Sequence, residues 1–199
     1  AAIMADHALE HHTTTGLDHR KLGMWTFLAS DCMFFGALIA GYMVSRNRSV
    51  VGPYPDDILN IPFTSLSSFV LLMSSLAMVL ALSAIQKGRI RLFRIWVMTT
   101  ALLGLIFLGG QIYEFTEFKH EGLGLSTNLF GSSFYVLTGI HGTHVALGVT
   151  WLVALFLGSF RKGLVTKASA INVEIAGLYW HFVDIVWIII FTVVYLLPY

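Results

Sequence analysis

Ionisable side chains stand inside a long apolar segment at the end of the chain. Residues 174–187 read EIAGLYWHFVDIVW, and the apolar run that they open continues to Leu197. Glu174, His181 and Asp184 therefore lie in, or at the edge of, a segment that is apolar enough to cross a membrane. Because burying ionisable groups at membrane depth is costly, such groups indicate a function or a partner that neutralises them.

Two other apolar segments carry groups of the same kind. The sequence HGTH places His141 and His144 three residues apart, so both rings lie on one face of a helix. Asp31 stands alone in the first apolar segment. Histidine titrates near neutral pH, so histidines and carboxylates that meet in a membrane could relay or buffer protons. The alternative hypothesis is structural, since polar side chains also hold transmembrane helices together.

The elements that must position these residues are membrane spans. Of the 199 residues, 56% are hydrophobic and 12% are charged, and the mean hydropathy is +0.76. A soluble domain of this length would carry about twice this charge. About 20 apolar residues cross the hydrocarbon core of a bilayer. The sequence therefore predicts an all-α, polytopic membrane protein with five transmembrane helices, at about 22–44, 62–85, 92–115, 130–160 and 174–197.

Positive charge predicts the orientation of the bundle. Lys and Arg residues are concentrated in the connections 86–91 and 161–173 and at the end of the N-terminal segment. In the connections 45–61 and 119–129, acidic residues offset the basic ones. Because basic connections remain in the cytoplasm, we predict a cytoplasmic N-terminus and a C-terminus on the outside.

The remaining segments narrow the functional classes. Residues 1–21 form a polar tail without a cleavable signal, so we expect the first span to act as an uncleaved anchor. Residues 22–199 are predicted to form one membrane domain, whose short connections leave no room for a soluble active site. The one cysteine, Cys32, excludes a disulfide framework. A net charge of +1 gives no indication of a nucleic-acid partner.

Helix geometry predicts that several of the polar residues share one depth. At 1.5 Å per residue, Asp31 lies roughly 14 Å from the cytoplasmic end of its span, and His181 and Asp184 lie roughly 10 and 15 Å from theirs. The fourth span runs the other way and brings His144 to a comparable depth. We therefore predict that these four side chains share one layer in the cytoplasmic half, with His141 one turn nearer the middle.

Cofactor ligation is an alternative role for the histidines. Two imidazoles on facing helices could ligate a haem, and His144 and His181 are candidates. Asp184 offers His181 a simpler partner, however, so we predict no haem and no metal in this chain. The tail histidines are too loosely spaced to predict a metal site. At the outer end of the third span, we expect Glu114 and Glu117 to be solvated at the membrane interface.

Four motifs resemble subunit III of the haem–copper respiratory oxidases. The segment SDCMFF, which begins at Ser30, resembles the family's Ser-Glu before a Phe-Phe pair. GGQIYEF resembles its Gln-x-x-Glu. FGSSFYVLTGIHGTHVALG resembles its helix with Gly-Ser-x-Phe and Gly-x-His-Gly-x-His-Val, and EIAGLYWHFVDIVW matches its last helix. The motifs occur in the family's order, so the resemblance covers nearly the whole chain.

Two features depart from the family pattern. The family carboxylate in the first span is usually a Glu that reacts with carbodiimides, whereas Asp31 is shorter by one methylene group. The chain has five predicted spans where longer members have seven, which resembles the shorter bacterial form.

The resemblance implies an accessory subunit of an oxidoreductase complex, a translocase of aerobic respiratory electron transport. Haem and copper would lie in subunits I and II, with subunit I as the main partner. Subunit III would support proton uptake and proton translocation by subunit I, bind phospholipid, and protect the oxidase during turnover. It would be a multi-pass protein of the bacterial cytoplasmic membrane, compatible with a larger respiratory supercomplex. Whether cytochrome c or quinol is the electron donor stays open.

The resemblance also implies candidate residues. The proton-relay or lipid-cleft candidates are Asp31, His141, His144, Glu174, His181 and Asp184. The first, fourth and fifth spans would enclose a lipid near Asp31 and His144, and Arg161 would meet its phosphate at the inner boundary. The alternative is a stand-alone proton-coupled or metal-ion transporter that uses the same polar layer. The lack of a clear internal repeat argues against that alternative.

Overall fold

The predicted bundle of five helices is confirmed. The computed structural model describes residues 18–46, 48, 59–161, 165–166 and 169–197, and these contain helices and no strand. All five long helices are apolar enough to cross a membrane. They are α1 (His19–Ser45), α2 (Ile61–Gln86), α3 (Ile90–His120), α4 (Leu129–Gly158) and α5 (Ala170–Phe191), and a π-helical turn, Thr192–Leu196, follows α5.

Short polar side chains start three of the helices. The Asp18 carboxylate accepts from the backbone of Arg20, and this cap starts α1 at His19, inside the segment predicted as a tail. Residues 1–17, with the tail histidines, lie outside the described residues. Asn60 and Asn128 cap α2 and α4 in the same way, because their side-chain oxygens satisfy free N–H groups of the first turn.

Two glycines with positive φ end α2 and α3. Gly88 has φ 70° and Gly122 has φ 88°, a conformation that side chains other than hydrogen disfavour. After each glycine the next backbone N–H returns to a carbonyl of the last helical turn, at 2.9 Å in both cases. This pattern satisfies carbonyls that a helix end leaves open, so each connection can turn back into the membrane at once.

The helix ends show how the bundle is threaded. Lys21 at the start of α1 forms a salt bridge with Glu174 near the start of α5. At the opposite end, Arg46 after α1 donates to the carbonyl of Leu197, over 3.0 Å. The starts of α1 and α5 therefore lie at one end of the bundle. That this end faces the cytoplasm stays a prediction.

Helix α5 lies at the centre of the bundle. It packs against α1, α2 and α4, and 50% of its most apolar stretch is buried, against 17% for α1. Two tryptophans fix it to α2: Trp180 Nε1 donates to Ser74 Oγ (3.0 Å) and Trp187 Nε1 donates to Ser68 Oγ (2.9 Å). Since going forward along α5 corresponds to going back along α2, the two helices are antiparallel.

The Trp180 ring fits against α3 and α4 because each presents a glycine to it. A Cβ atom at Gly104 would lie 2.6 Å from the ring, and a Cβ atom at Gly148 would lie 2.9 Å from it. Both distances are shorter than carbon–carbon contact allows. Small residues are common where transmembrane helices approach closely, and here they make room for an indole.

Replacing Gly148 with alanine should destabilise the bundle. We expect Gly148→Ala to lower the free energy of unfolding by about 1–3 kcal/mol, because the methyl group overpacks against Trp180. Unfolding of the purified chain in mixed detergent micelles measures this. Gly139→Ala is the matched control on the same helix, where a Cβ atom meets nothing within 4 Å. Equal stabilities of the two variants would contradict the packing described here.

Candidate functional site

Asp31 of α1 and His144 of α4 face each other inside the bundle. Asp31 Oδ2 lies 3.7 Å from His144 Nε2, and Asp31 is only 9% exposed. That Oδ2 atom has no hydrogen-bond partner within the described residues. The sequence predicted a common depth for these two residues, and the structure brings them together as a pair.

The backbone holds His144 in one orientation. Its Nδ1 lies 2.9 Å from the carbonyl oxygen of Ile140, one turn earlier. A carbonyl only accepts, so Nδ1 carries a hydrogen and Nε2 is the atom presented to Asp31. The hydroxyl of Tyr179 donates to the carbonyl of His144 over 2.9 Å, which ties α5 to the same turn. The ring of Phe35 packs edge-on against His144.

His181 and Asp184 form a second cluster, on the other side of α5. Ser75 of α2 donates to Asp184 Oδ2 over 2.6 Å, and its Oγ lies 3.2 Å from His181 Nδ1. Within the described residues, no hydrogen bond or ion pair joins this cluster to Asp31 or His144. The polar residues predicted for one layer therefore form two clusters, one between α1 and α4 and one between α2 and α5.

His141 belongs to neither cluster. It is fully buried, and its ring stacks on Trp187 at 4.9 Å between centroids. The rings of Phe35 and Phe107 meet it edge-on. Neither ring nitrogen has a hydrogen-bond partner among the described side chains and backbone. Its packing is therefore that of an aromatic core residue.

Glu174 and Arg161 lie near the end of the bundle predicted to face the cytoplasm. The salt bridge of Glu174 with Lys21 is about one-third exposed on both sides, so it contributes little stability. Arg161 is exposed just beyond the end of α4. Arg94 of α3, which the sequence did not mark as a site candidate, donates to Ser159 Oγ over 2.9 Å and lies over the Phe160 ring.

The expectation for Glu114 was wrong. Glu114 is buried, at 5% exposure, and its Oε1 accepts from Thr64 (2.6 Å) and from the Tyr195 hydroxyl (3.0 Å). Thr64 comes from α2 and Tyr195 from the π-helical turn, so residues distant in sequence cover the carboxylate. Glu117 is exposed, as expected.

The part of the chain that the structure describes contains no group of three or more His, Cys, Asp and Glu side chains that could hold a metal. The two histidines considered for haem face different helices. His144 faces Asp31 on α1, whereas His181 faces Ser75 on α2. The two imidazoles are thus not placed as an opposed axial pair.

Comparison with known proteins agrees with this architecture. The family model described as cytochrome c oxidase subunit III matches residues 2–199. The chain belongs to this family. It is 40% identical to quinol oxidase subunit 3 of Bacillus subtilis (strain 168) over 189 residues, which cover 95% of this chain and 92% of that protein. It is 38% identical to cytochrome c oxidase subunit 3 of Bacillus sp. (strain PS3), over 96% of this chain and 91% of that protein.

Membership of the subunit III family decides between the two functional predictions. It confirms the resemblance to oxidase subunit III and favours an oxidase subunit over a stand-alone transporter. A subunit III chain is part of a complex with other oxidase subunits, and this one is a multi-pass membrane protein. A third relative, from Thermostichus vulcanus, is a cytochrome c oxidase subunit 3 that is 38% identical over 98% of this chain and 94% of that protein. Relatives of both kinds, quinol oxidase subunit 3 and cytochrome c oxidase subunit 3, thus match this chain.

Sequence reasoning missed the serines that the subunit III chain uses between α2 and α5. Ser68 and Ser75 are seven residues apart, and Ser74 adjoins Ser75. This spacing returns to one helix face after two turns, so it predicts a polar stripe on α2. The partners of that stripe, Trp187, Trp180 and Asp184, could not be assigned without the rotation of each helix about its axis.

Proposed function

We propose that this chain is the non-redox subunit III of a haem–copper terminal oxidase, bound to a subunit I and a subunit II that hold haem and copper. The observation that carries the proposal is the family match over residues 2–199, in a chain whose five helices are long and apolar enough to cross a membrane. Large apolar side chains are exposed on all five helices. Partner subunits and lipid would cover these surfaces in the membrane.

The proposed location is the cytoplasmic membrane of a bacterium, with the N-terminus inside. The basic residues of the connection between α2 and α3 support this orientation, because Lys87 and Arg89 flank the exposed Gly88 turn there. The relatives named above come from bacteria. Membership of a larger respiratory supercomplex is compatible with the same proposal.

The Asp31–His144 pair supports a role in proton supply to subunit I. With a hydrogen held on Nδ1 by the Ile140 carbonyl, neutral His144 directs the lone pair of Nε2 towards the carboxyl group. A proton placed between these two acceptors can be held on Oδ2 or on Nε2. Such a pair can take up one proton and release it again.

We also propose that this chain binds a phospholipid. Arg161 is exposed at the end of α4, where it could meet a phosphate group, and basic residues at this boundary attract anionic lipid. On the face of α1 that carries Asp31, two large apolar side chains are exposed, Phe27 at 45% and Phe34 at 44%. Acyl chains can lie along this surface beside the Asp31–His144 pair. Glu174, paired with Lys21, would lie at the headgroup level of the same lipid.

Co-purification tests the subunit assignment. A tag on this chain should bring down a complex with the visible spectrum of haem after gentle solubilisation, because the redox centres are proposed to lie in its partners. The same tagged chain, stripped of its partners by a harsh detergent, should carry no haem in stoichiometric amount. Haem that remains on the stripped chain, or a gently purified chain without any haem-bearing partner, would refute the assignment.

Substitution of Asp31 tests the proton role. We expect Asp31→Ala to leave the complex assembled, since loss of a single polar contact in a membrane costs only about 0.5–2 kcal/mol. Initial oxygen consumption should stay close to that of the wild type, whereas activity should decay faster over a long assay, because proton supply or lipid retention is weakened. Oxygen consumption at several pH values measures both quantities.

Cys32→Ala is the matched control for this variant, since Cys32 is the next residue on α1 and its side chain is exposed. It should decay at the wild-type rate. If Asp31→Ala decays at that rate too, Asp31 serves the packing of the helices only. If oxidase is lost from the membrane altogether, the main role of Asp31 is in assembly.

A further inference from the structure

Ser75 stands between an imidazole and a carboxyl group inside the membrane. Helix α2, Ile61–Gln86, carries no ionisable side chain. At Ser75 this helix meets both polar residues of the second cluster on α5, with Oγ 2.6 Å from Asp184 Oδ2 and 3.2 Å from His181 Nδ1. Three groups that can each give or take a proton thus form a continuous hydrogen-bonded chain.

The number of available hydrogens allows two orders of donors and acceptors along these hydrogen bonds. A serine hydroxyl donates one hydrogen and accepts others. If Asp184 is ionised, the carboxylate only accepts, so Ser75 donates to it and His181 Nδ1 must donate to Ser75. If Asp184 is protonated, it can donate to Ser75, and Ser75 then donates to a bare His181 Nδ1. Both orders use the same atoms and distances.

A proton that binds at His181 can convert the first order into the second. The imidazolium then carries a hydrogen on each ring nitrogen. Its Nδ1–H bond breaks and a bond to Ser75 Oγ forms, while the Oγ–H bond breaks and a bond to Asp184 Oδ2 forms. The result is a neutral His181 that keeps the hydrogen on Nε2, and a neutral Asp184. One proton has moved from nitrogen to oxygen, and no other reactant is consumed.

Asp184 and His181 differ in burial, and this difference gives the hydrogen-bonded chain a direction. Asp184 is buried, at 5% exposure, and its Oδ1 has no hydrogen-bond partner among the described residues. His181 is only partly buried, beside Ile185, which is 56% exposed on the surface of α5. The imidazole thus lies at the edge of the bundle and the carboxyl group lies inside it.

Other ionisable groups that face α5 are engaged elsewhere. From α1 and α4, Asp31 and His144 face each other, and His141 stacks on Trp187. From α3, Glu114 accepts from Tyr195 and Thr64. Within the described residues, none of them forms a hydrogen bond or ion pair with His181 or Asp184. Within the described residues, the hydrogen bonds between ionisable side chains in the second cluster therefore run only through Ser75.

We propose that His181, Ser75 and Asp184 form a proton-transfer chain between α2 and α5, in which Ser75 passes a proton from the edge of the bundle to the buried Asp184. A hydrocarbon tail cannot exchange a proton with His181, so the donor is water or another polar group that reaches the edge of the bundle there. The proposal extends the proposed proton role of subunit III to a second site and assigns a positioning and transfer role to Ser75.

Infrared spectroscopy of the intact oxidase complex tests the chain. The C=O stretch of protonated Asp184 is identified as the band that Asp184→Asn removes. On transfer from H2O to D2O, its downshift reports the rate of proton exchange at this carboxyl group. We expect Ser75→Ala to slow the exchange by about tenfold or more, because a hydrogen bond to a charged group is lost from the pathway. Ser75→Thr keeps the hydroxyl and should restore the rate.

Ser30→Ala is the matched control, since the Ser30 hydroxyl is exposed and, among the described residues, bonds only to the backbone of its own helix. It should exchange as the wild type does. If Ser75→Ala does not assemble, Ser75→Cys is measured in its place. We expect Ser75→Cys to slow the exchange at Asp184 too, because a thiol is a weak donor of similar size. Exchange at the wild-type rate in the variant without the hydroxyl would overturn the proposal, as would the absence of any band that Asp184→Asn removes.

This result and the subunit assignment can fail separately. The infrared measurement reads one carboxyl group and depends on neither the haem content nor the rate of oxygen consumption. Unchanged exchange in Ser75→Ala would leave the assignment as subunit III in place. A purified chain without a haem-bearing partner would remove the assignment while the band of Asp184 could still be measured.

Discussion

Two hydrogen bonds from tryptophan to serine join α5 to α2, and the positions of the other polar groups depend on them. Trp180 donates to Ser74 and Trp187 donates to Ser68. A polar N–H group in a bilayer has no water to bond, so an indole in the core of a membrane bundle needs a partner in the protein. The two bonds set the register of α5 against α2.

The other contacts of α5 follow from that register. Ser75 adjoins Ser74, and its hydroxyl donates to Asp184, which lies one turn from Trp180 along α5. On the opposite side of α5, the hydroxyl of Tyr179 reaches the turn of α4 that holds His144. One central helix therefore positions both polar clusters, although no described hydrogen bond or ion pair joins them.

The sequence predicted the spans well and the partners less well. Hydropathy and length determine whether a segment can cross a bilayer, so five helices and the common depth of Asp31 and His144 were predictable. The rotation of a helix about its axis is weakly encoded when the helix is apolar all round. For that reason the sequence did not assign His181 and Asp31 to separate clusters, and it left Glu114 exposed. Packing instead turns His181 towards α2 and covers Glu114 with Tyr195.

The most direct test of this account is a double-mutant cycle between Ser74 and Trp180. The free energy of unfolding in mixed micelles is measured for the wild type, Ser74→Ala, Trp180→Phe and the double variant, so that the packing lost with the indole cancels. If the indole–serine bond fixes α5, the two substitutions should be coupled by about 0.5–2 kcal/mol, as for other hydrogen bonds between membrane helices. Strictly additive effects would contradict the account.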